Sequence, residues 1–109
     1  MKNESELRAQ LNLLKVKLEI LSNTMNFVSD DSLQDKFKEI CNKIDKIHYQ
    51  LIQFYIAEIG NKLAFNTYLK IRYNSNLLND LAYRLNVPPK MLKNELHKEY
   101  LERSEEYNS

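Results

Sequence analysis

The side chains that can do chemistry cluster late in the chain, at Lys90, Lys93, Asn94, His97 and Lys98. A helix over these positions exposes all five and suits a polyanion. Lysine ammoniums meet phosphates, and the Asn94 amide can pair with a base edge in the major groove. Lys70, Arg72 and Arg84 lie upstream, where they can hold the flanking backbone. Duplex DNA is the partner this chemistry names. The plain alternative is a pair of packed helices whose lysines are simply solvated.

Other chemistry is thinly represented. His48 and His97 stand apart from any cysteine or paired carboxylate at metal-ligand spacing, so no metal and no cofactor is expected. The lone Cys41 has no partner for an internal disulfide and reads as a buried apolar thiol. There is no glycine-rich phosphate loop, no HExxH, no nucleophile elbow and no Ser/His/Asp set. A non-enzyme is the expectation.

The charge is uneven. Residues 1–59 carry −1, residues 60–98 carry +5 and residues 99–109 carry −3, within a chain of net +1. A basic segment between near-neutral and acidic ones hints at a polyanion partner, unless the acidic tail folds back on it. The first ten residues are charged and lack the apolar run of a signal peptide. The most apolar window, 51–59, holds Gln53 and Glu58 and is too short to span a bilayer. A soluble, cytoplasmic protein without a membrane partner is therefore expected.

The elements that position the basic residues are helices. One Gly and two Pro in 109 residues are too few for the turns of a β-rich fold. Leu7, Leu11, Leu14, Leu18, Leu21, Met25 and Val28 repeat at alternating spacings of 4 and 3, predicting a helix over 4–28. Asn3 with Glu6 forms its capping box. Leu13, Val16 and Ile20 lie off this seam and widen the apolar face, as in a helix buried in a bundle. Ser32 with Asp35 restarts the pattern, and Leu33, Phe37, Ile40, Ile44, Ile47 and Leu51 continue it over 32–59. Two such helices joined by a short polar loop predict an antiparallel hairpin. Around Tyr49, Ile52, Tyr55, Ile56 and Ile59 the helix is apolar nearly all round, so this stretch is the middle of the core or a face that a partner covers. That partner is a second copy, making a homodimer, or another protein.

Gly60 marks a break or a close backbone approach, at a cost of about 1 kcal/mol inside a helix. Residues 65–73 alternate apolar and polar like a strand. No second strand exists to pair with them, so a helix near 62–73 is expected. The strand reading requires a partner or second copy to supply the other edge. Ser75 is the expected N-cap of the next helix, and the acidic closing helix is expected to fray near Ser104.

Residues 77–96 carry a more specific pattern. Leu81, Ala82 and Leu85 pack a first helix, Asn86 tolerates the left-handed conformation that ends it, and Val87 plugs the corner. Pro88 and Pro89 then open the next helix, anchored by Leu92. Over about 20 residues this resembles helix-turn-helix units, which implies a DNA-reading second helix. Pro88 stands where that motif usually has Ser or Thr, and Glu95 where it is usually apolar, with the anchor moved to Leu96. Residues 81–87 followed by 92–96 also resemble a helical segment of bacterial primases, which implies helix packing next to a helicase-binding part. The zinc and acidic metal-binding motifs of a primase are missing. The layout of 14–51 is similar to the two-helix phosphatases of sporulation response regulators. Of their Ser-Gln-Glu-Leu-Asp motif, residues 41–45 keep only Asp45.

The expected fold is an all-α helical bundle in a single domain, 1–109. Its hairpin (1–59) precedes a basic C-terminal part with an acidic tail (60–109), which carries the helix-turn-helix-like unit. The expected function is a small nucleic-acid-associated regulator or replication accessory protein. The alternative is a phage- or plasmid-type protein that inhibits a host protein through a helix face, without nucleic acid.

Overall fold

The structure, a computed structural model, describes residues 3–108 and the side chains of residues 3–104. The fold is all-α. The described residues form five helices, α1 (Glu4–Met25), α2 (Asp31–Ile59), α3 (Asn61–Ile71), α4 (Ser75–Leu85) and α5 (Pro89–Asn108), and no strand. Among the described residues no helix is long and apolar enough to cross a membrane. The chain divides into two compact units, Met1–Gln50 and Leu51–Ser109. The division falls inside α2, ahead of Gly60 where the sequence changes character. Within the second unit, Gln53 Nε2 near the end of α2 donates to Glu95 Oε2 of α5 at 3.3 Å.

In the first unit, Asn3 caps α1 as its sequence implies, its Oδ1 accepting from the Glu6 N–H at 2.8 Å. Glu4 and Arg8, one turn apart, pair at 2.9 Å. The helix ends at Met25, short of the expected Val28. The Thr24 hydroxyl turns back to donate to the Ile20 carbonyl at 2.9 Å, while Phe27 and Val28 N–H groups both close on the Thr24 carbonyl. Val28 is left exposed. Asp30, not Ser32, caps α2: its Oδ1 accepts from the Ser32 N–H at 3.0 Å, so the helix starts earlier than the spacing suggests. The Ser32 hydrogen bonds, backbone then side chain, with Lys36 nearby, hold the Asp30 carboxyl below its ordinary value.

Both apolar seams of this unit are graded. Leu7, Leu11 and Leu14 are buried, Leu18, Leu21 and Met25 half-buried; on α2, Leu33, Phe37 and Ile40 are half-buried, Ile44 and Ile47 buried. Burial is greatest in the parts of both seams far from the 26–30 connection and least beside it. Leu13, Val16 and Ile20 do not behave as extra core. They remain 55, 53 and 61% exposed, which corrects the expectation that they widen the buried face of α1.

The second unit is built on α3, α4 and α5, each packing on the other two. Gly60 separates α2 from α3 with φ +81° and ψ 156°. Nothing lies within 4 Å of a Cβ placed there, so the glycine serves backbone conformation and not a close approach. Residues 65–71 are helical, which rules out the strand alternative for them. Ala64 and Ile71 are buried on one side, and Leu63 and Leu69 are the apolar residues left outside. Asn74, not Ser75, caps α4 through its Oδ1 and the Leu77 N–H. The last helix continues to Asn108 without ending near Ser104.

Candidate nucleic-acid interface

The corner between α4 and α5 sets the direction of the basic helix. Asn86 takes the left-handed conformation, φ 59° and ψ 45°, the single non-glycine residue with positive φ among those described. Its N–H reaches the Tyr83 carbonyl at 3.1 Å, and the Val87 N–H reaches the Ala82 carbonyl at 3.1 Å. This is the paired bonding of a Schellman end, which satisfies carbonyls the helix would leave open. Ala82 and Val87 are both buried, so the apolar contact that accompanies such an end is in place. Pro88 and Pro89 follow, and the Leu92 N–H closes the first turn of α5 on the Pro88 carbonyl at 3.1 Å.

Along α5, Leu92 and Leu96 are fully buried. Lys90, Asn94 and Lys98 each sit two residues from one of these leucines, about 200° round the helix, and so point the opposite way. His97 adjoins them and Lys93 lies at the border of the two faces. All five are exposed. Lys90, Asn94, His97 and Lys98, with Pro88, Met91 and the Glu95 carboxylate, line a shallow depression on this face. Lys90 and Lys93 have no ion-pair partner among the described residues. Lys98 does: its Nζ lies 3.2 Å from Glu95 Oε1. Glu95 is nearly buried and also accepts from Gln53. The motif's apolar position is thus taken by a carboxylate that ties three residues together, with Leu96 as the anchor beside it.

The other basic residues are dispersed over the unit. Lys70 and Arg84 are exposed in the last turns of α3 and α4. Arg72 caps the end of α3, and its guanidinium lies 4.4 Å above the Tyr73 ring. Tyr73 and Tyr83 are themselves almost fully exposed.

An arrangement that composition alone does not show is a ladder of rings. Phe65 stacks on Tyr100 at 5.2 Å, Tyr100 meets Tyr68 at 5.0 Å, and Tyr68 stacks on His97 at 5.1 Å with planes 12° apart. The rungs alternate between α3 and α5, and their opposite order along the two helices makes these helices antiparallel. The signal was the 3-residue spacing of both pairs, 65/68 and 97/100, which places each pair on one helix face.

The apolar face proposed for a partner is partly core. Ile52 and Ile56 are buried by the chain itself, so their burial needs no second molecule. Tyr55 and Ile59 are half-buried in the second unit, and Tyr49 is exposed at the end of the first. Asp45 is exposed on α2. Nearby His48 is buried, and its Nδ1 has no hydrogen-bond partner. Burial pushes its imidazole below the ordinary value, Lys15 adds to this, and Asp45 opposes it. Among the described residues no group of three or more His, Cys, Asp or Glu could hold a metal ion.

No protein-family model, curated protein or solved structure matches this chain.

Proposed function

We propose that this chain is a non-enzymatic, nucleic-acid-associated protein, a regulator or replication accessory, that meets duplex DNA with the outer face of α5. The observation that carries this reading is the position of Lys90, Asn94, His97 and Lys98 together on the side of α5 opposite Leu92 and Leu96. The left-handed corner at Asn86 fixes how that helix leaves α4. Lysines on this face meet phosphates and fix register; Asn94 is the residue suited to a base edge. Lys70, Arg72 and Arg84 supply flanking charge. The test is duplex binding over a range of salt, since displaced counterions make affinity fall steeply as salt rises. The Lys90/Lys93/Lys98 triple alanine is expected to lose most of it. A parent that binds no duplex, or a triple variant that binds like the parent, overturns the reading.

A second reading rests on a different observation, the exposed apolar stripe of Leu13, Val16 and Ile20 on α1. Exposed apolar residues in a row mark a surface that another protein covers. On this reading the chain is a phage- or plasmid-type protein that docks a helix face on a host protein. A complex recovered from host lysate after nuclease treatment, and lost in a Leu13→Ser, Ile20→Ser double variant, supports it. Recovery that ignores the double variant counts against it.

A further inference from the structure

The ring ladder ends on an exposed ring. Phe65, Tyr100 and Tyr68 are half-buried between α3 and α5, whereas His97 is exposed and lines the depression on the outer face of α5. One side of its imidazole is taken by Tyr68 at 5.1 Å, in near-parallel planes, with the Tyr100 ring also 6.3 Å away. Its exposure therefore belongs to the other side and the edges. The stack beneath holds the ring's orientation: Tyr68 is itself packed on Tyr100, and Tyr100 on Phe65. A planar ring held in this way loses little freedom when another ring settles on it.

The surroundings carry polar chemistry suited to a nucleotide. Asn94 lies one turn before His97 and Lys98 on the same face, and its amide offers two donors and an acceptor to a base edge. Lys90, one turn further back, has no ion-pair partner among the described residues and can meet a phosphate. Lys98 can do so once it leaves Glu95. An aromatic platform with an amide and ammonium groups around it is how proteins hold unpaired bases: the ring takes the base, and the cations take the backbone. A paired base cannot use the platform, because its faces are already covered by its neighbours in the duplex.

We propose that the depression beside His97 is a stacking site for an unpaired nucleobase, which lies on the exposed side of the imidazole as the next rung of the Phe65–Tyr100–Tyr68–His97 ladder. Asn94 addresses the edge of that base, and Lys90 its phosphate. The site shares the α5 face with the proposed duplex contact but does not depend on duplex binding. Its preferred ligand is single-stranded nucleic acid, or a strand end or bulge.

The test uses the full chain and a single-stranded oligonucleotide carrying one 2-aminopurine, whose fluorescence falls when it stacks. A duplex of the same sequence is titrated alongside. The parent is expected to quench the probe saturably. His97→Ala is expected to weaken binding about 5- to 150-fold, the range that loss of one base stack produces. His97→Phe keeps a ring on the ladder and is expected to retain the quenching, which separates stacking from any effect on folding. Quenching unchanged in His97→Ala, or single-strand binding without quenching, overturns the stacking site. Duplex binding with no response from the single strand overturns it too, while leaving the duplex reading intact. Single-strand quenching without duplex binding does the reverse, and binding of neither overturns both.

Discussion

Replacing Asn86 by valine tests the corner on which the placement of α5 rests. Asn86 holds φ 59° and ψ 45°, where a side chain's Cβ crowds the following carbonyl. Asparagine tolerates that region; a β-branched residue is among the least tolerant. If the corner survives, the strain alone costs about 1–2 kcal/mol. If valine turns the chain away, the bonds from Asn86 N–H to Tyr83 and from Val87 N–H to Ala82 are lost as well. Each contributes about 0.5–1.5 kcal/mol, and Val87 leaves its buried position. The expected loss is therefore about 1–2 kcal/mol with the corner kept and about 3 kcal/mol with it broken. Urea unfolding followed by circular dichroism reads this directly. With a slope of roughly 1–2 kcal/mol per molar for a chain of this size, the midpoint falls by about 0.5–3 M. Asn86→Gly is the control: it accepts the same dihedrals without a Cβ and is expected to unfold at or slightly above the parent midpoint. A valine variant with the parent's midpoint, or a glycine variant less stable than the valine one, refutes the argument that this dihedral sets the corner.

Three further outcomes follow from the structure. Gly60→Ala is expected to cost about 1–3 kcal/mol through backbone strain alone, because φ +81° with ψ 156° is a region essentially reserved for glycine and no neighbour is struck; a neutral midpoint would contradict it. His48 is buried with its imidazole held below the usual value near 6.5, so the unfolded chain takes up the proton first. Stability from this residue is complete above about pH 6.5 and falls as pH drops toward the folded-state value, by at most about 1.4 kcal/mol per pH unit. His48→Leu should flatten unfolding midpoints measured between pH 7 and 5, and a profile as steep as the parent's would refute this. Glu95→Gln removes the carboxylate that holds Lys98 at 3.2 Å. Tighter duplex binding is expected, with a logarithmic salt slope steeper by about 0.9 for one more phosphate contact; an unchanged slope would show that Lys98 does not reach the backbone.

What the sequence determined by itself is local. Asn3, Gly60 and Asn86 act through their own dihedrals and one or two neighbouring amides, so the start of α1, the α2–α3 break and the left-handed end of α4 can be read from residue type and spacing. The same locality explains the near misses. At the starts of α2 and α4, polar residues stand side by side, and Asp30 and Asn74 took the caps that Ser32 and Ser75 also suit. Tertiary structure decided the rest, because each outcome depends on what lies across from a residue. Residues 65–71 alternate like a strand but lack an edge to pair with, whereas as a helix they bring Phe65 and Tyr68 to Tyr100 and His97. The two apolar stripes of α1 look alike in sequence, yet only the one through Leu7, Leu11 and Leu14 is buried. Glu95 and Lys98 are close by helical spacing, but the Gln53 that holds Glu95 from its other side is 42 residues away, and only the folded chain brings it there.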